Sequence, residues 1–146
     1  MSEMWAKGYL TQIQMANIAI GQLENEKNEL WESMISLPGL QYGDRVQSSS
    51  IGDQIPNQIS KYLEMVDKIN AKKVQLSRLR HQIVWQIQAL DRPEYVDLLY
   101  KKYVEDKSFE QIAVDMGYTY SWIKHLHKKA LIAFETKHPK TPKDVI

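Results

Sequence analysis

Apolar residues recur in alternating three- and four-residue steps along two long stretches of this chain. In the first they are Tyr9, Ile13, Ala16, Ile20, Leu23, Leu30, Met34 and Leu37, with Lys27 the one polar interruption. In the second they are Ile59, Tyr62, Val66, Ile69, Leu76, Ile83, Ile87 and Leu90, broken at Lys73 and Arg80 and widened by Leu63, Leu79 and Val84. That spacing predicts two long helices, each with a single apolar seam. At about 1.5 Å per residue each runs roughly 50 Å. A stripe of that length needs a partner, and the nearest is the other helix.

Pro38-Gly39 stops the first helix, and Leu40 to Pro56 is rich in Gly and Ser, which predicts a loop over 38–56. Folding back there gives a coiled-coil-like antiparallel helical hairpin over 1–90. The same seams can also pair between two chains.

Asp91-Arg92-Pro93 ends the second helix, because proline cannot continue the ladder and restricts its predecessor. Three short helices follow: Glu94 to about Glu105, Phe109 to Met116, and Tyr120 to about Lys137, with a polar tail over 138–146. Ser108 and Gln111 have the spacing of a capping box, Gly117 is a left-handed terminator, and Thr119 is a cap for the last helix. A helix-turn-helix makes demands at fixed offsets. Counted from Phe109, the apolar places are Ile112, Met116, Tyr118, Ile123 and Leu126; Ala113 is the small contact residue and Gly117 the turn glycine. All seven constrained places are filled, so the fold expected is all-α, a long helical hairpin followed by a three-helix helix-turn-helix domain over 91–137.

Helical spacing also sorts the last helix into two faces. Tyr120, Lys124 and Lys128 lie four apart, as do Ser121, His125 and Lys129, while Ile123, Leu126, Ala130, Leu131 and Phe134 lie mainly on the core side. In such domains the N-terminal part of the second helix meets base edges and flanking cations meet phosphates. Tyr120, Ser121, Lys124 and His125 are therefore the expected base readers, and Thr119, Lys128 and Lys129 the phosphate contacts. Lys101, Lys102 and Lys107 are placed to extend the backbone contacts. Tyr118 is expected in the core, Trp122 against the first small helix, and His127 satisfied or solvent-exposed.

Charge at first opposes nucleic acid, since 19 Lys+Arg stand against 18 Asp+Glu. Counted by segment, the balance is made of opposed blocks. Residues 1–36 hold two lysines and five glutamates; 55–90 hold six basic and two acidic residues; 119–140 hold five lysines and Glu135. The hairpin sets an acidic helix against a basic one, and uncompensated lysines gather on the last helix.

The chain has no cysteine, which excludes disulfides, thiol catalysis and Cys-ligated metal. No HExxH, nucleophile elbow, acidic metal cluster or Gly-rich phosphate cradle occurs. No catalytic residue, metal or cofactor is expected. No apolar run approaches the roughly 20 residues that span a bilayer, and a basic leader is lacking, so a cytoplasmic protein is expected.

The run from Gly117 to Leu126, continuing to Ala130-Leu131, resembles the final helix-turn-helix, region 4, of sigma-70-type factors. The whole chain is similar to small phage and prophage proteins of Gram-positive bacteria related to the ArpU-type late-transcription regulators. The matching stretches are Asp44 to Ser49, Phe109-Glu110-Gln111-Ile112-Ala113, Met116-Gly117-Tyr118-Thr119, Leu126-His127 and Ala130-Leu131. The resemblance implies double-stranded DNA as partner, transcriptional control in the bacterial nucleoid, and RNA polymerase or a second copy of the chain as further partners. Tyr120, Ser121 and Trp122 replace the arginines and acid that open the sigma recognition helix, which argues against an ordinary −35 element, and nothing resembles the sigma regions that bind the −10 element or the polymerase clamp, so the resemblance implies an accessory regulator. A packaging adaptor like a phage small terminase subunit, or a protein-only interaction module, would use the same parts differently.

Overall fold

Long seams with few helix breakers produce long helices. In the computed structural model, which describes residues 4–36 and 48–139 apart from the side chains of 48–55, every regular element is helical. The order is α1 (Trp5–Ile35), α2 (Ser48–Gln88), α3 (Pro93–Leu99) with a π-helical turn (Tyr100–Val104), α4 (Phe109–Met116) and α5 (Tyr120–Lys137). No helix among the described residues is long and apolar enough to cross a membrane.

Two elements differ from the sequence expectation. The loop expected over 38–56 is helical from Ser48 onward, and α2 carries Pro56 inside its first ten residues. Gly52 and Pro56 are poor helix formers, so composition pointed to a loop. Asp44 to Gln47 lie outside the described residues. The helix expected from Glu94 to Glu105 is α only to Leu99, then widens: the Glu105 amide reaches the Tyr100 carbonyl at 3.0 Å, five residues back. Asp106 closes it in the left-handed region, at φ 58, where Asp is among the few non-glycine residues tolerated.

The chain divides into two compact units. One comprises Met1–Asn17 with Gln75–Ile146, the other Ile18–Val74. The expected boundary near residue 90 is therefore not where the packing divides. The reason is a core that draws on both sides of it: Leu10 and Ile13 of α1, Ile83 and Ile87 of α2, Leu99, Tyr103, and Leu131 and Phe134 of α5. Phe134 is fully buried, with its ring centroid 6.0 Å from those of Trp5 and Tyr9. The Tyr9 hydroxyl donates to Gln86 Oε1 at 2.6 Å and accepts from Gln82 Nε2 at 2.9 Å. A buried polar tip is thereby satisfied, as burial requires. A smaller cluster of Leu98, Ile112, Ala113, Ile123 and Leu126 holds α3, α4 and α5 together.

In the unit Ile18–Val74, Lys73 Nζ lies 2.8 Å from Glu24 Oε2 and the rings of Trp31 and Tyr62 are 5.3 Å apart. A later residue of α1 thus meets an earlier one of α2. Hydrogen bonds from Lys73 and then Lys27 hold the Glu24 carboxyl below its ordinary range.

Candidate nucleic-acid interface

Local chemistry fixes the turn between α4 and α5 at both ends. Ser108 caps α4, its hydroxyl accepting from the Gln111 amide at 3.1 Å. Gln111 does not reach back to complete a capping box; its Nε2 donates to Asp115 Oδ1 at 2.8 Å instead. At the other end Gly117 adopts φ 74, with its amide on the Val114 carbonyl and the Tyr118 amide on that of Ala113. These are the paired bonds of a Schellman motif, which needs a left-handed residue and favours glycine. Thr119 then caps α5, accepting from the Trp122 amide at 3.1 Å. Three residues, each with a defined backbone task, join the helices.

The buried side of α5 comprises Ile123, Leu126, His127, Ala130, Leu131 and Phe134. That leaves Thr119, Tyr120, Ser121, Lys124, His125, Lys128 and Lys129 all exposed on one end of the helix. Lys124 Nζ sits 5.5 Å from the Tyr120 ring centroid, within cation–π range. Among the described residues Lys124, Lys128 and Lys129 make no ion pair. Unpaired ammonium groups on one face are available to an anionic partner.

The earlier lysines are engaged within the chain. Lys101 Nζ is 2.9 Å from Asp97 Oδ1, Lys107 Nζ 2.9 Å from Asp115 Oδ2, and Lys102 Nζ 4.3 Å from the Phe109 ring centroid. Hydrogen bonding to Lys107 first, and to Gln111 second, holds the Asp115 carboxyl below its ordinary range.

Two aromatic residues lie differently from expectation. Tyr118 and Trp122, expected to be packed, are each 43% exposed, and their rings contact each other at 6.4 Å while Trp122 meets His125 at 5.1 Å. Tyr118 leaves the core because it follows the left-handed Gly117, where the chain has already turned away. Val114, 75% exposed on α4, stands three and four residues after Gln111 and Glu110, on the polar side of that helix.

His127 is the buried histidine of α5, 2.6 Å from the Tyr103 hydroxyl through Nε2 and edge-on to Phe109 at 4.9 Å. It belongs to the interior and faces away from His125. Among the described residues no three His, Asp or Glu side chains converge on a point that would hold a metal ion.

No known protein family matches this chain, and no curated protein or solved structure matches it.

Proposed function

We propose that this chain is a sequence-specific, double-stranded-DNA-binding transcription regulator of phage or prophage type. In this reading a long antiparallel helical hairpin carries a C-terminal helix-turn-helix, and α5 enters the major groove. Tyr120, Ser121, Lys124 and His125 meet base edges; Thr119, Lys128 and Lys129 meet phosphates. The long helices dimerise the protein or contact RNA polymerase, in the nucleoid of a bacterial host cell.

The observation that carries the proposal is the exposed end of α5, where three lysines without ion pairs stand beside Tyr120, Ser121 and His125, behind a capped three-residue turn. A polar helix face of that kind fits a groove lined with acceptors and flanked by phosphates. Near-neutral overall charge makes non-specific affinity low, so the contacts of this face decide binding.

The test is a mobility shift with duplex fragments selected from the encoding genome, measured across salt concentrations for the wild type and for Lys124→Ala with Lys128→Ala. Loss of the Lys128 phosphate contact reduces the magnitude of the log–log salt slope by about 1, and loss of the base reader Lys124 lowers affinity further. An unchanged slope and affinity would sink the assignment of this face. No salt-sensitive shift with any fragment would favour a protein-only module, and a ring-sized mass in solution a packaging adaptor.

A further inference from the structure

The unit Ile18–Val74 buries little of its own apolar surface. Among its described residues, Ile20, Met34 and Ile69 are the buried hydrophobic side chains, whereas Trp31 is 47% exposed, Ile35 52%, Ile59 43%, Leu63 54% and Val74 50%. An antiparallel pair of helices with so few buried contacts is poorly stabilised by itself, because helices in water depend on packing an apolar face.

These five exposed residues share an edge, and Ile18, 48% exposed, lies off it. Trp31 is seven residues after Glu24, and Ile59 is fourteen before Lys73, so each occupies the same heptad position as a member of the Glu24–Lys73 pair. The Trp31–Tyr62 ring contact lies along the same edge. Ile35 and Leu63 stand one turn beyond Trp31 and Ile59, and Val74 three turns beyond Leu63. The charged residues here are Glu24, which lies between Lys27 at 3.0 Å and Lys73 at 2.8 Å, and Asp67, seven residues before Val74. Lys61 and Lys68 point elsewhere: they follow Ile59 and Val66 by two residues, which places them on the opposite edge.

We propose that this apolar edge pairs with the same edge of a second copy, two helix pairs closing into a four-helix bundle about a two-fold axis. The inference rests on the dimerising role given to the long helices and is independent of whether α5 meets DNA. Two arguments select a second copy as the occupant. The five side chains, each about half exposed, offer on the order of 500 Å² per copy, so two copies cover on the order of 1,000 Å², the lower bound for a specific interface. The two acidic and two basic residues along the edge sum to zero, so identical surfaces meet without net repulsion. Four helices bury a stripe that two leave half open.

Sedimentation equilibrium of the full chain tests this with three proteins: wild type, Ile59→Glu with Leu63→Glu, and Lys61→Glu with Lys68→Glu as a control on the opposite edge. The expected masses are twice 17.1 kDa for the wild type and the control, and 17.1 kDa for the apolar-edge variant. Circular dichroism of that variant should retain wild-type helicity, since both residues are exposed within one chain. If its helicity falls, Ile35→Lys, which probes the same edge from α1, must be monomeric with helicity intact. A monomeric wild type, a mass above the dimer, or a dimer that survives these substitutions overturns the proposal. A monomeric wild type that still shifts DNA in a salt-sensitive manner overturns the bundle alone and leaves the DNA-binding reading standing.

Discussion

The Tyr103 hydroxyl and His127 Nε2 are 2.6 Å apart in the interior, joined across 24 residues between the π-helical turn and α5. Burial first, then the positive charges of Lys7 and Lys102, lower the His127 pKa to about 4, and burial raises that of Tyr103. Both groups are therefore neutral at pH 7. Because His127 titrates below its unfolded value of about 6.5, the unfolded chain binds the extra proton first as pH falls. Stability should be fully present above pH 6.5, decline between there and about pH 4 by about 3 kcal/mol, and lose nothing further to this group below that. Urea unfolding of His127→Gln, which does not titrate, should show a flatter profile across that window. A wild-type profile no steeper than the variant's would refute the assignment.

Two left-handed residues give opposite expectations. At Gly117 a Cβ would meet no atom within 4 Å, so Gly117→Ala pays only for its φ of +74, about 1 kcal/mol. Asp106, at φ 58, is a non-glycine in the same region, and Asp106→Gly should gain up to about 1 kcal/mol. Urea midpoints with unchanged slopes would register both shifts.

Neighbouring positions on α5 should separate packing from surface. Phe134 is fully buried and Ile132 is 51% exposed. Phe134→Ala should cost about 3–5 kcal/mol, whereas Ile132→Ala should stay within about 0.5 kcal/mol. Equal losses at the two sites would contradict the packing described for α5.

Trp122 should matter more for binding than for folding. Its ring is 43% exposed and, among the described aromatic residues, meets Tyr118 and His125. Trp122→Ala is expected to cost less than about 1 kcal/mol in stability, yet to weaken binding of a selected duplex about tenfold by releasing the His125 ring. Wild-type affinity in the variant would show that Trp122 does not hold His125 for binding.

The legible parts of the fold are those set by local rules. Phe109–Met116 and Tyr120–Lys137 have the bounds that Ser108, Gly117 and Thr119 imply, since each cap acts within one turn. The seven residues of the α5 face are all exposed because helical spacing alone assigns them away from Ile123 and Leu126. What depends on distant residues was not legible. The π-helical turn buries Tyr103 against His127, and helical spacing within 94–105 does not encode that partner. Phe134 packs on Trp5 and Tyr9, so a boundary drawn at the Asp91-Arg92-Pro93 break cuts through a shared core. Ser48 to Pro56 shows the reverse limit, with residue types poor in helices carried at the start of a long one.

Glu135 Oε2 accepts from the Ala6 amide at 2.9 Å. A free donor in the first turn of α1 is thus satisfied by a carboxylate 129 residues later, at the end of the helix dipole that favours negative charge. Local capping needs only the neighbouring residues, but this cap must wait for the last helix. The bond to Glu135 therefore lasts only while α5 is packed, and fraying of the first turn of α1 and local opening of α5 are coupled events.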